Sequence, residues 1–595
     1  MADQNIYIDS NADPGGDGSY GSPYDAAADI NWTTGGANSI YDWIAAAHDP
    51  YINIKGGSEF REKLSVGCSG VSGHPVTIQA YGSGNKPYIN GSEIMTGFTG
   101  PDGNGEYTKS GVTTEPKICV SDDTWLDEGT FGSLANDEWD WDNDTLYLGF
   151  NPSGCVIEAG QREDSFWIGS KSYIEVADIK IGKTNLNGLN CWPSIASMTE
   201  INLYRVDSEF CEKNGIAVRG GPSYGAYNIT ACSVKNSTVS YCGQNGVTIS
   251  YNISDIDVED CIIDYAGLKE GAHGITVGGS ELPFTSGWTQ HSGNIYKHDL
   301  GSDDAYQVVS KTDKVRLTHN DGNYGTLALN EWDQEGTDVY INVGGDPNGD
   351  DIRAASCEPD DIRITHAIVT NTQDNSVGGI EGHGIALDGF AKNCVVSRCI
   401  SKYNAGAGIT HHMGQGNAVH TNIAYNNEGN GVTFQTGGYN GEIYNNTLFN
   451  NENGVILGAG CDTVSIKNNI SMNNTLLGIY ASADALNITH DHNCSYGNGT
   501  NWAGALSKGG TDIEADPKLA DPANNDYRPR ATSPCINAGV DVGLTEDYDG
   551  NSYDGLPDIG AYEYQYGAIG AEMVIPTFAV WKRHWSKMEI MNYGD

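Results

Sequence analysis

The chain has 595 residues, 78 of them Gly, with 38% hydrophobic and 18% charged residues. This composition is rich in turns, but it is neither collagenous nor that of a disordered polyelectrolyte. Its 78 acidic and 32 basic residues leave a formal net charge of −46, which opposes binding to nucleic acid or to an anionic membrane, and no run of apolar residues is long enough for a membrane-spanning helix.

Met1 leads straight into an apparent strand, Ile6-Tyr7-Ile8, without the charged and apolar regions of a signal peptide. Such a start is expected of a chain whose leader has been replaced, or of a virion protein released at lysis. The Gly/Asp-rich loop that follows sets oxygen donors at alternating positions, Asp9, Asn11, Asp13 and Asp17. A flexible Ca²⁺ loop uses such spacing. The 14 Cys include no CxxC pair and no zinc spacing, which points to buried thiols, with a few disulfides as the alternative.

Two segments share one pattern. Residues 99–160 contain Tyr107, then Leu134 through Trp139 to Asp140, then Tyr147; residues 281–356 contain Tyr296, then Leu327 through Trp332 to Asp333, then Tyr340. Leu to Trp is five residues and Trp to Tyr eight in both. Each segment is expected to be a small inserted β module. Trp139, Trp141 and Trp332 would be either an aromatic platform for a glycan or the module's own core.

Between and after these segments the chain repeats. A Gly followed by an apolar strand recurs at Gly215, Gly246, Gly274, Gly384, Gly408, Gly431, Gly454 and Gly478, at spacings of 31, 28, 110, 24, 23, 23 and 24. A period near 23 with one long jump describes a regular coil carrying one large insertion. Each period holds short strands of period-2 alternation, such as Val419 to Tyr425, and no helical spacing. Asn-Gly at the corner fits a left-handed Asn and a Gly without a Cβ.

This pattern resembles the right-handed parallel β-helix of the pectate-lyase-like superfamily, which also includes many phage tailspikes. The resemblance covers roughly residues 161–500. It implies an all-β solenoid with coils at 161–280 and 357–500, interrupted by the second module. Residues 9–24 resemble the opening of secreted β-helix proteins, in which a short helix, here about Ser39–Ala47, plugs the first coil; residues 1–98 would then form the N-terminal cap and first coils. Residues 533–564 resemble the C-terminal cap segment of the same proteins, placing a cap at 501–566. The remaining residues, 567–595, carry Trp581, Trp585 and a Lys-Arg-His run, as expected of an element for trimer assembly or attachment to a particle.

Aligning the coils yields candidate chemistry. Asp388, His412 and Gln435 occupy equivalent positions on successive coils, with His411 beside them, and His273 and His383 occupy the corner otherwise filled by Asn. A carboxylate and an imidazole on adjacent coils can serve as base and acid. Asp388, His412, His383 and His273 are therefore the catalytic candidates, and Gln435, His411, Trp139 and Trp332 the substrate-binding ones. Gly382-His383-Gly384 resembles the Gly-His-Gly of polygalacturonase-like glycosidases, but their accompanying Asn-Thr-Asp, Asp-Asp and Arg-Ile-Lys sets are absent, with only Asn371-Thr372-Gln373-Asp374 nearby. A lyase of this superfamily would draw its base from such residues as Arg219, Lys392, Arg398 or Lys402. The net charge favours a neutral glycan. A second alternating oxygen loop, Asp547, Asp549, Asn551 and Asp554, is the other candidate for structural Ca²⁺.

Two functions are compatible with these residues. One is a protein, extracellular or tail-borne, that binds and depolymerises extended polysaccharide as a glycosidase or lyase. The other is a non-catalytic virion protein, a tailspike-like adhesin or capsid decoration.

Overall fold

The computed structural model describes residues 4–565 apart from 222–226, 270–271, 285, 301–304, 306, 311–314, 321, 336, 375–380 and 554. The expectations attached to the tail at 567–595 and to Asp554 therefore lie outside the described residues.

Three long parallel sheets carry the chain. One has 14 strands, with Gln4–Ile8 and Thr489–Asp491 at its ends; the other two have 12 each, running from Leu64–Ser65 to Thr500–Gly504 and from Glu59–Phe60 to Cys494–Tyr496. From Pro50 onward each coil gives one strand to each sheet, and Gln4–Ile8 and the short Met198–Thr199 are the two extra strands of the first. Val395–Ser397, Ile400–Lys402 and Ile409–His411 make one coil, and they pair in parallel with Ala418–His420, Ile423–Tyr425 and Asn430–Phe434 of the next. The repeat is thus a parallel β-helix. Period-2 alternation sorts its side chains: Ile385 and Leu387 enter the coil interior, where Ile409, Val432, Val455 and Ile479 continue the same stacks, while Asp388 faces outward. Each fully buried aliphatic contributes roughly 1.5–3 kcal/mol of transfer free energy. A polar residue at an inward position would forfeit that and misalign the stack.

The corner glycines act by close approach, as a residue without a Cβ allows, whereas the corner Asn, expected from the sequence to be left-handed, is not so at Asn214, Asn245, Asn430 or Asn453. A Cβ on Gly384 would lie 2.0 Å from Ser401 Oγ and 2.7 Å from Gly408 O, and one on Gly274 would lie 2.1 Å from a Val369 methyl. The left-handed residues sit at other bends, among them Asn426, Asn445, Asn450, Asn468 and Asn473 but also such residues as Phe210, Tyr241, Asp260 and Arg398. At the corner itself Asn forms a ladder: Asn214 donates to Asn187 Oδ1 at 2.8 Å, Asn245 to Asn214 at 3.1 Å, and Asn453 to Asn430 at 2.8 Å.

Another asparagine ladder runs inside the coils. Asn422 donates to Asn446, Asn446 to Asn469 and Asn469 to Asn493, each at 3.0 Å, and Asp512 Oδ1 accepts the Asn493 backbone N–H to end the series. Every amide in it is buried. The ladder satisfies donors that would otherwise be stranded in an apolar interior.

The two repeated segments lie outside the long sheets. Glu138–Asp142, Thr145–Leu148 and Tyr107–Ser110 form one antiparallel set, with Asp127–Glu128 added in parallel; Glu331–Glu335, Asp338–Asn342 and Ile295–Asp299 form another, with Thr318–His319 added in parallel. Trp139 pairs with Leu148 and Trp332 with Ile341. The first set's partner sheet includes Ser92–Met95 against Ile157–Gly160, so this module starts before residue 99, the strand's apolar pattern being indistinguishable from that of a coil strand. In the second segment Ser280 pairs with Cys357, closing it at its neck.

At the N-terminus the helix Ile40–Ala45 is capped by Ser39, whose Oγ accepts from Asp42 N–H, and it buries Ile40 and Ile44 in the coil core. It is the longest helix among the described residues, and none is long and apolar enough to cross a membrane. At the other end the chain folds back along the flank of the coils. Cys535, Ile559 and Ala561 pack with Ile423 and Ile470, Asn445 donates to Asp558 O at 3.1 Å, and Arg398 pairs with Glu546 at 2.8 Å. All 14 Cys are free thiols, and all but Cys155 are buried.

Candidate active site

Registration along one 12-stranded sheet places the site. Arg219 pairs with Ser250, Ser250 with Gly278 and Gly278 with Asp388. Leu387 pairs with His411, and His411 with Phe434, which puts His412 and Gln435 at the next two positions of the Asp388 row. Asp388 and His412 meet directly: His412 Nδ1 lies 3.0 Å from Asp388 Oδ1, which also accepts the Gly389 backbone N–H at 2.9 Å. Gln435 bonds Thr410 Oγ1 at 3.3 Å.

The corner histidines complete the cluster. The His273 and His383 rings stack with centroids 5.0 Å apart. His383 Nδ1 accepts the Ala407 backbone N–H at 2.8 Å, the bond Asn453 Oδ1 makes to Leu477 N–H elsewhere at 3.0 Å. That bond fixes the tautomer, leaving the ring proton on Nε2. Burial, with the charge of His273, pushes the His383 pKa down to about 3. His383 is therefore a neutral donor through Nε2. Burial also lowers His273.

Glu381, two residues before His383, was not singled out by the sequence. Its Oε2 lies 3.3 Å from His273 Nε2. Burial, then the negative charges of Asp388 and Asp374, raise its pKa. Asp388 is displaced the other way. Burial alone would raise it, but its side chain is 44% exposed, and the hydrogen bond and charge of His412, with the charge of His273, hold it well below the usual carboxylate range. The cluster thus contains one carboxyl inclined to keep its proton and one inclined to lose it.

Among the described residues, His273, Glu381 and His383 are the one His/Cys/Asp/Glu group whose ligand atoms all lie within 4.8 Å of one another. They do not suit a metal ion. Ligation through His383 Nε2 would need the proton on Nδ1, where the Ala407 N–H already points.

The other candidates are elsewhere. His411 points into the coil, 1% exposed, with its ring 4.3 Å from that of Phe434; period-2 alternation sends it opposite to His412. Trp139 and Trp332, 1% and 2% exposed, are the cores of their modules, and Trp139 Nε1 donates to Leu126 O at 3.1 Å. Trp141 Nε1 bonds Val112 O at 2.7 Å. A glycan platform on these rings is ruled out for the two buried ones, since neither presents a face. In the first oxygen loop Asp9 accepts from Lys55 Nζ at 2.5 Å and from Asn11 N–H at 3.0 Å, and Asp17 accepts from Ser19 N–H at 3.0 Å. In the second, fully buried Asp547 accepts from Asn551 N–H at 2.7 Å and Glu563 N–H at 2.9 Å. Both loops use these carboxylates to hold turns, and the Lys55 ammonium already neutralises Asp9.

Comparison with known proteins agrees with the fold. Residues 360–516 match the family model described as "Right handed beta helix region". No curated protein matches the chain. The solved structure of XylC with xylose is similar at 12% identity and TM-score 0.60, over 94% of this chain and 98% of the other. Pectate lyase Pel9A aligns at 11% identity and TM-score 0.40, over 95% and 98%. Sheets, repeat and the matched family model give one statement: the chain folds as a right-handed parallel β-helix.

Proposed function

We propose that the protein hydrolyses glycosidic bonds of an extended polysaccharide laid across the coils at Asp388. The observation that carries this reading is one cluster that holds two carboxyl groups in different company, Asp388 bonded to His412 at 3.0 Å and Glu381 3.3 Å from His273; this raises the proton affinity of Glu381 and lowers that of Asp388, and environments that separate two carboxyl groups in this way assign acid and base. Glu381 gives its proton to the glycosidic oxygen as the bond to the anomeric carbon breaks. Asp388, held by His412, takes a proton from the water whose oxygen bonds that carbon. Proton exchange with solvent then restores both groups. His383 donates through Nε2 to a substrate oxygen beside the same carbon.

Strands spaced ~4.8 Å apart offer a row of side chains to a linear chain. XylC, similar in fold, was solved with xylose, which makes sugars the first ligands to try. The test is incubation with a panel of polysaccharides, reading new reducing ends and the absorbance of unsaturated uronate. Reducing ends without the chromophore are expected. Both together would replace hydrolysis by a lyase reaction, and neither, across the panel, would remove catalysis from the account.

A further inference from the structure

Two thiols meet where the end of the chain folds back. Cys494 belongs to Cys494–Tyr496, the last strand of its 12-stranded sheet, and Cys535 lies 41 residues further on, in the segment that returns along the flank of the coils. Both are fully buried in one cluster with Ile470 and Ile559, and their thiol groups are hydrogen-bonded to each other. Neighbouring contacts fix each in place. The Cys494 thiol also reaches Ala515 O at 3.4 Å, and Ser495 N–H donates to Ile513 O at 3.0 Å. Ser533 Oγ donates to Pro517 O at 2.5 Å and accepts the Cys535 N–H at 3.1 Å, while Cys535 O accepts from Ile559 N–H at 3.0 Å.

Contact between the sulfurs is the first condition for a disulfide, and the anchoring on both sides keeps them together. Cys211 and Cys242 also touch, in register on adjacent strands, but that pair lies mid-sheet with coils on either side, where no oxidant arrives unless the coils unfold. Cys494 and Cys535 part when the return segment alone lifts away. Its lifting would also uncover the backbone edge of Cys494–Tyr496, a template for unwanted strand pairing.

We propose that Cys494 and Cys535 form a modification site, joined by a small-molecule disulfide such as oxidised glutathione into a bond that pins the return segment to the last coil. One cysteine, as thiolate, attacks a sulfur of the small disulfide, breaking its S–S bond and expelling one small thiol; the other cysteine then displaces the second small thiol as the Cys494–Cys535 bond forms. The two protein thiols are oxidised, the small disulfide is reduced to two thiols, and the two protons lost by the protein end on them. The docked pair is inert, because the bond to Cys494 and burial raise the Cys535 pKa and exchange needs a thiolate. Reaction therefore takes place while the segment is undocked, and redocking holds the product. Closing a loop of 41 residues then removes chain entropy from the opened state.

The test exposes the full, reduced chain to a mixture of oxidised and reduced glutathione in two ways: in denaturant below its unfolding midpoint, and during refolding from full denaturant. Remaining thiols are alkylated and the peptides mapped by mass, which needs no variant. Two of the 14 thiols should be lost in at least one sample, those of Cys494 and Cys535, and dithiothreitol should restore both. The linked chain should unfold at a higher denaturant midpoint than the reduced one, while Cys535→Ser, treated alike, should show neither the cross-link nor the shift. Retention of all 14 thiols in both samples, a cross-link between other cysteines in place of this one, or a linked chain no more stable than the reduced one would overturn the site.

Discussion

Glu381 and Asp388 act on each other as like charges, yet only Glu381 is raised, because His412 is bonded to Asp388 and not to Glu381. The working state needs Glu381 protonated and Asp388 ionised. Raising the pH through the elevated Glu381 pKa removes the acid, so turnover should decline on the alkaline side of that value; lowering it has little effect until the depressed Asp388 pKa is approached. The profile should therefore be displaced toward acid with a broad acidic shoulder. Measured pH–rate curves check this, and Glu381→Gln should lower turnover by ~100-fold or more while flattening the alkaline limb. His383 separates structure from function in another way. Asn fills this corner in other coils and accepts the equivalent backbone N–H, so His383→Asn should leave the melting temperature within a few degrees and still reduce turnover, by loss of the Nε2 donor. A large drop in melting temperature with turnover per folded molecule unchanged would make His383 a purely structural residue.

Elements contribute unequally to holding this site. The interior asparagine ladder runs through the same coils, and each rung both donates and accepts. Asn446→Ala would leave one Asn422 amide N–H and the Asn422 backbone N–H without their shared acceptor, while the other amide N–H keeps Val396 O, at a cost on the order of 3 kcal/mol for two buried donors; denaturant unfolding would show it as a lowered midpoint. The second inserted module contributes less. Ser280 and Cys357 are paired neighbours at its neck, so excising 281–356 and joining them through a two-residue turn should leave a soluble chain that unfolds cooperatively. Aggregation of that product would show instead that the module is part of the coil's core.

Across the whole molecule, what the sequence reveals follows from periodicity. The 24-residue step from Ile385 to Ile409 is one coil, so the meeting of Asp388 with His412, and of His273 with His383, can be read from spacing alone. Glu381 cannot, because it precedes its strand in a stretch without register. The buried Trp residues mislead for a related reason: period-2 alternation divides a strand's two faces without saying which one a partner sheet covers. Nor does an Asn-Gly corner distinguish left-handed backbone from close approach, which depends on neighbouring coils that the local sequence does not contain. The most direct test of the account compares reducing-end release from a cleaved polysaccharide by the unsubstituted chain and by Asp388→Asn at equal folded concentration. The account predicts a loss of at least ~100-fold at a melting temperature changed by no more than a few degrees; equal rates from the two chains would contradict it.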